Sequence, residues 1–207
     1  MSGLQAIQQP HRNSGSGEDA GAPIQSVDQH AGRTFGAGQG LKPGEAKARR
    51  ATESKHLITA FGEIVSVLMR TQQFRSIPLS NIESVVVPAL LTGQFVVARA
   101  QSNHNGFVTP VAAMLWASVS AEVDSRLSVL DQPLRLAPNE WKCGDIPWLV
   151  LVAGEDRVIG PLLKQFQQKA LKGRPLKMRV KGKEGKETVR TLKLAPQGTQ
   201  TGESPGG

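Results

Sequence analysis

The chain has 207 residues, a formal net charge of +8 and one cysteine, Cys143. That length suits one domain with tails, a lone thiol excludes an internal disulfide, and no apolar run reaches the ~18 residues of a membrane-spanning helix. Without the charged start and apolar stretch of a secretory signal, the expected location is cytoplasmic.

Residues 1–51 are rich in Gly, Gln, Ser and Ala, as in RNSGSGEDAGAP, and residues 195–207 read APQGTQTGESPGG. Neither stretch has enough apolar surface to offset ordering entropy, so both are expected to be disordered tails around one domain at 52–194. Hydrophobic residues are 39% of the chain and aromatics 4%, with no Tyr, which fits a chain that packs only in part.

Within 52–194 the first predicted element is a helix at 53–70, where Leu57, Phe61, Ile64, Val65, Leu68 and Met69 recur at helical spacing. A second helix is expected from Leu79, with Ser80 as N-cap and Glu83 completing a capping box, kinked or shortened at Pro88. Residues 95–100 and 107–116 read as a hairpin turned by NHNG at 103–106. A helix follows at 118–130, with Ser120 as cap and Val123, Leu127 and Leu130 inward. Leu134 and Leu136 could form a short strand in the loop DQPLRLAPNEW. The all-apolar run 148–153 has the character of a strand covered on both faces. A helix at 158–172, ended by Gly173, precedes a hairpin of 176–180 and 188–194 joined by KGKEGK. The order ααββαβαββ implies an α/β or α+β domain, a mostly antiparallel sheet flanked by helices.

Charge is concentrated late in the chain. Between Lys164 and Lys193 stand eleven basic residues against only Glu184 and Glu187, the chain's whole positive excess. An acidic protein or nucleic acid is the partner such a run would attract, and a merely solvated face is the alternative. Nucleic acid is the weaker reading, because Phe166 is the only aromatic in the run and offers no repeated stacking platform.

Few residues suggest chemistry. His11, His30, His56 and His104 are scattered and no Cys pair exists, so no metal site is expected. There is no phosphate loop, nucleophile elbow or HExxH. Cys143 beside Lys142 could be a nucleophile, though a lone turn cysteine is more often inert. Asp145, Glu155, Asp156 and His104 could supply an acid or base, and loop solvation explains them equally.

Three ordered motifs change the reading. VVPALLTGQFVVAR at 86–99, PVAAMLWASVSAEVDSRL at 110–127 and EWKCGDIPWLV at 140–150 resemble passages of the RTX toxin-activating lysine acyltransferases. The shared positions include Trp116, Ala117, Ser120 and Glu122, then Trp141, Gly144, Asp145 and Trp148. The resemblance covers roughly 61–180. It implies a GNAT-like single domain in the cytoplasm that takes a fatty acyl group from acyl carrier protein and transfers it to a lysine of a protoxin-like secreted partner. No bound cofactor is implied, and a homodimer is compatible with it. Arg75, Trp116, Ser120 and Trp148 become candidate substrate or partner contacts, and Lys177 and Arg179 join them from the basic run, since acyl carrier protein is acidic.

The resemblance also exposes departures. The family's catalytic histidine lies in a segment like SPLHRNWP; the counterpart here, TQQFRSIP at 71–78, keeps Arg75 but has Phe74 at the histidine position. The family's aspartate, three residues after Trp148, is Leu151, and an asparagine of its site is Val85. This leaves a divergent enzyme with a rebuilt site, drawing on His104, Glu155 or Asp156, or a non-catalytic basic adaptor that recognises acyl carrier protein, a partner protein or nucleic acid.

Overall fold

The computed structural model describes residues 26–29, 43–102, 105–181 and 186–193. Much of the expected tails, together with His104 and most of the KGKEGK turn, lies outside the described residues. A six-stranded sheet runs in the order β1 (Ser26–Gln29), β2 (Phe95–Gln101), β3 (Val108–Val119), β4 (Ile146–Gly154), β5 (Leu176–Lys181) and β6 (Glu187–Leu192). Every neighbouring pair is antiparallel except β4 and β5, which are parallel and joined through a helix. This is an α+β fold, as the element order implied.

The helices are α1 (Pro43–Arg70), α2 (Leu79–Thr92), α3 (Ala121–Leu127) and α4 (Asp156–Lys169). Alternation along the strands sends side chains into two cores. Phe95, Val97, Leu115, Ala117, Val119 and Trp148 meet α1, α2 and α3 on one face. Val96, Met114, Trp116 and Leu149 meet Val158, Leu162 and Phe166 of α4 on the other. β3 and β4 are apolar on both faces because both faces are covered.

Several boundaries differ from expectation. α1 begins at Pro43, and β1 also falls in the stretch expected to be a tail. Proline suits a first helical position, and the Ala, Lys, Arg and Glu that follow favour helix without an apolar stripe. Arg49 Nε donates to Glu53 one turn away at 2.8 Å. α2 is capped by Pro78 and not Ser80, which falls inside its first turn, so the capping box does not form. Pro88 neither shortens nor ends α2, which runs to Thr92 and closes at Gly93, φ 70°.

α3 is shorter than expected. Residues 118 and 119 stay in β3, where the Ser118 N–H donates to the Trp141 carbonyl at 2.8 Å and its carbonyl accepts from Cys143 and Gly144. Leu130 is exposed. Leu134 and Leu136 form no strand and instead pack half-buried against the first core. α4 ends at Lys169, before Gly173, whose N–H reaches back to the Gln167 carbonyl at 2.9 Å.

Candidate functional site

A cavity of about 580 Å³ lies between the start of α2, the 133–141 loop and β4. Val85 of α2 and Leu151 of β4 line it, with Ile82, Val86, Val150 and Trp141. Phe74, at the end of a 3-10 turn (Gln72–Phe74), packs against the same core. Val85 and Leu151, far apart in sequence, thus meet at one apolar volume, while Phe74 packs against the first core without lining it. Ser80, Asn81, Ser84 and Arg135 also border it, and Arg135 is the one charged residue among the described lining residues.

Glu155 and Asp156 do not line this cavity. They stand at the start of α4, where Glu155 Oε2 accepts from Arg157 Nε at 2.8 Å. Asp145 is exposed; its carbonyl accepts from Arg174 Nη1 at 3.2 Å. Cys143 is exposed, its Sγ accepting from the Ser120 N–H and donating to the Glu140 carbonyl, both at 3.2 Å. Among the described residues no group of three His, Cys, Asp or Glu is placed to hold a metal ion.

The other candidate contacts are largely engaged within the fold. Trp116 is buried against Phe166, ring centroids 4.4 Å apart. Ser120 caps α3, its Oγ accepting from the Val123 N–H at 3.3 Å. Trp148 is fully buried, and its indole N–H donates to Asp124 Oδ1 at 2.7 Å. Lys177 donates to both Asp124 oxygens at 2.7 Å and sits 5.9 Å from the Trp148 ring centroid. Arg179 donates to the carbonyls of Leu127, Val129 and Gln132 at 2.9, 2.7 and 2.5 Å, closing the C-terminal end of α3. Arg75 is exposed beside the 3-10 turn. Lys177 and Arg179 therefore hold the domain together, and among the described residues the solvent-facing cations of the hairpin are Lys181, Lys186, Arg190 and Lys193.

The motif EWKCGD earns its place through backbone contact. An added Cβ at Gly144 would stand 2.4 Å from the Val119 carbonyl oxygen, so only glycine allows the loop to lie against the end of β3. This contact seats Trp141, buried, against the cavity. Glu140 fixes the same loop: Arg126 Nη2 and the Ala137 N–H donate to its Oε2 at 2.6 and 2.8 Å. These two bonds hold its carboxyl below the usual range, and Glu140 in turn raises Arg126.

With that loop in place, the three motifs converge on one structural unit: helix α2 into β2, β3 into α3, and a glycine-dependent loop into β4. The family model of the RTX toxin acyltransferase family matches residues 53–195. The chain belongs to that family. No curated protein matches it. For this RTX toxin acyltransferase family member, sequence reading singled out Val85 and Leu151, which line the cavity, but missed Arg135 and Asp124. The alternation of PLRLAP, which sets Arg135 opposite two leucines, was the available signal for the first; nothing local marks Asp124 as the acceptor for Trp148 and Lys177.

Proposed function

We propose that this family member binds acyl carrier protein and a protoxin-like partner in the cytoplasm without transferring the acyl group to lysine by the family's acid–base route. The observation that carries the reading is the apolar cavity bounded by Val85 and Leu151, with no carboxylate or imidazole among its described lining residues. Attack by a lysine requires removing a proton from an ammonium of pKa about 10.4, and one positioned acid or base is typically worth about 10²- to 10⁴-fold. Phe74 and Leu151 can neither accept that proton nor orient a group that does. Glu155 and Asp156 stand at the other end of β4 from its entry turn, outside the cavity.

The fold is compatible with a GNAT-like arrangement: β4 and β5 pair only at Trp148–Lys177 and Leu149–Met178, leaving residues 150–154 without a partner on that edge. The exposed cations of the last hairpin favour an acidic carrier protein over an uncharged one. No described helix is long and apolar enough to cross a membrane.

The test combines the chain, acyl-loaded carrier protein and a lysine-bearing protoxin domain, with binding read by sedimentation and lysine masses mapped by mass spectrometry. A carrier complex with no acyl-lysine above the enzyme-free control is expected. Acyl-lysine formation would overturn the non-catalytic reading, and absence of any complex would overturn the carrier-binding one.

A further inference from the structure

No described residue covers the outward face of α1. At 3.6 residues per turn, Lys47, Lys55, Ile58, Gly62 and Met69 fall within an arc of about 80°, with Arg50 and Phe61 along one border. Ile58 and Met69 are 72% and 67% exposed, and an added Cβ at Gly62 would meet nothing within 4 Å. The face is also sorted by charge. Its N-terminal half is basic, its C-terminal half is apolar, and the three acids of the helix, Glu45, Glu53 and Glu63, turn away from it. Glu53 takes Arg49 and Glu63 takes Arg99, whereas Lys47, Arg50 and Lys55 have no carboxylate partner among the described residues. A second element extends the apolar end. Arg70, the last residue of α1, donates to the Pro110 carbonyl of β3, which brings the β2–β3 hairpin beside the helix end, and near its tip Phe107 and Val108 are 71% and 56% exposed.

Residues 47–55 are exposed apart from half-buried Glu53, so this half of α1 owes little to the core. An acidic protein would have to answer the cations with fixed carboxylates and also supply a groove for side chains that project from a convex helix and a hairpin end. A lipid surface meets both demands without a matching shape, through diffuse negative charge at the headgroups and apolar depth beneath them. We propose that α1 lies along an anionic lipid surface, with Lys47, Arg50 and Lys55 among the phosphodiester headgroups and Ile58, Met69 and Phe107 entering the acyl boundary. The helix rests on the bilayer and does not span it: its basic half stays at the headgroups, and its apolar half is shorter than the ~20 residues a crossing needs. The basic β5–β6 hairpin does not fit the same role, because none of its described residues is a large exposed apolar side chain. The lipid-facing surface involves neither that hairpin nor the cavity, so the inference stands apart from the preceding reading.

The test floats the full chain with vesicles of phosphatidylcholine, alone or with about 30% phosphatidylglycerol, at ionic strengths of about 0.05 and 0.5 M. Strong binding is expected on the anionic vesicles only, weakened but not abolished by salt. Lys47→Gln, Arg50→Gln and Lys55→Gln together, which preserve helix propensity, should weaken it by roughly a hundredfold at low salt. Ile58→Gln with Met69→Gln should weaken it at least tenfold at either salt. Lys181→Gln, Lys186→Gln and Arg190→Gln together should leave it unchanged. All these side chains are exposed, and an unaltered thermal midpoint confirms that each variant folds. Absence of binding to anionic vesicles overturns the proposal, as does an equal loss from the hairpin variant. Binding that ignores the Ile58 and Met69 changes overturns the apolar contact, and binding that ignores the α1 cations overturns the anionic one. A dimer seen by sedimentation that the Ile58 and Met69 changes dissociate, with no vesicle binding, would give the face to a second copy of the chain and overturn the lipid assignment.

Discussion

Asp124 receives hydrogen bonds from an indole and an ammonium that reach it from different strands. Trp148 comes from β4 and Lys177 from β5, at the two residues where those strands pair. Its side chain is 16% exposed, so the carboxylate is desolvated enough for its partners to matter. Asp124→Ala is expected to lower stability by about 2 to 3 kcal/mol, since it leaves a buried N–H without an acceptor and an ammonium without its counter-ion. Asp124→Asn, which keeps one acceptor oxygen, should lose less. Denaturant midpoints at constant slope measure both, and equal midpoints for wild type and Asp124→Ala would refute the account. Gly144→Ala is the sharper case: its methyl would meet the Val119 carbonyl at 2.4 Å, backbone against backbone. A loss of about 3 kcal/mol or more is expected, checked by the same unfolding curves. At this scale the sequence marked Trp148, Lys177 and Gly144 as special without showing why. Two of them answer to Asp124, 24 and 53 positions away, and a contact of that separation leaves no local pattern.

Elements were legible where packing and pattern agree, and their ends were not where a distant group decides them. The apolar runs of β2 and β3 and the apolar stripe of α1 are direct records of burial, and the sequence placed all three. The early start of α1 was hidden because its first turns carry exposed side chains and no stripe; propensity alone forms them. The end of α3 was misplaced because Arg179, more than fifty positions from Leu127, takes the carbonyls at which the helix stops. Arg179→Ala should therefore fray α3 and the 128–132 segment, visible as faster amide exchange there with slower loss elsewhere. The 133–141 loop has its own lock in the Glu140 pair with Arg126. Because the folded carboxyl titrates below its ordinary value of 4.5, this lock contributes fully above about pH 5 and is lost as pH falls through the depressed value. With Arg126 nearly half exposed, the contribution is about 0.5 to 1 kcal/mol. The stability gap between wild type and Glu140→Gln should be flat from about pH 5 to 8 and narrow as pH falls below 4.5 through the depressed folded value. A gap that widens on acidification would contradict the sign.

At the scale of the whole molecule, the described basic residues of the last hairpin divide into two groups with opposite duties. Lys177 and Arg179 point into the domain and are consumed by Asp124 and the end of α3, while Lys181, Lys186, Arg190 and Lys193 remain at the surface of the outermost hairpin. Composition gave the total and could not make this division: Lys177, Arg179 and Lys181 share one face of β5, and only the first two have Asp124 and the end of α3 within reach. The consequence is a specific expectation for an acidic partner such as acyl carrier protein. Charge reversal at Lys181, Lys186 and Arg190 together should leave the unfolding midpoint within about 0.5 kcal/mol of wild type, since these side chains are exposed. It should nevertheless slow association by roughly ten- to a hundredfold at low salt, because complementary charge acts mainly on encounter. Raising ionic strength from about 0.05 to 0.5 M shortens the screening length well below 10 Å and should erase most of the difference. Reversal at Lys177 and Arg179 should instead lower stability, with any loss of binding following from unfolding. Stopped-flow association across that salt range separates the outcomes: a rate that ignores both the triple reversal and the salt would show that this face does not guide the partner.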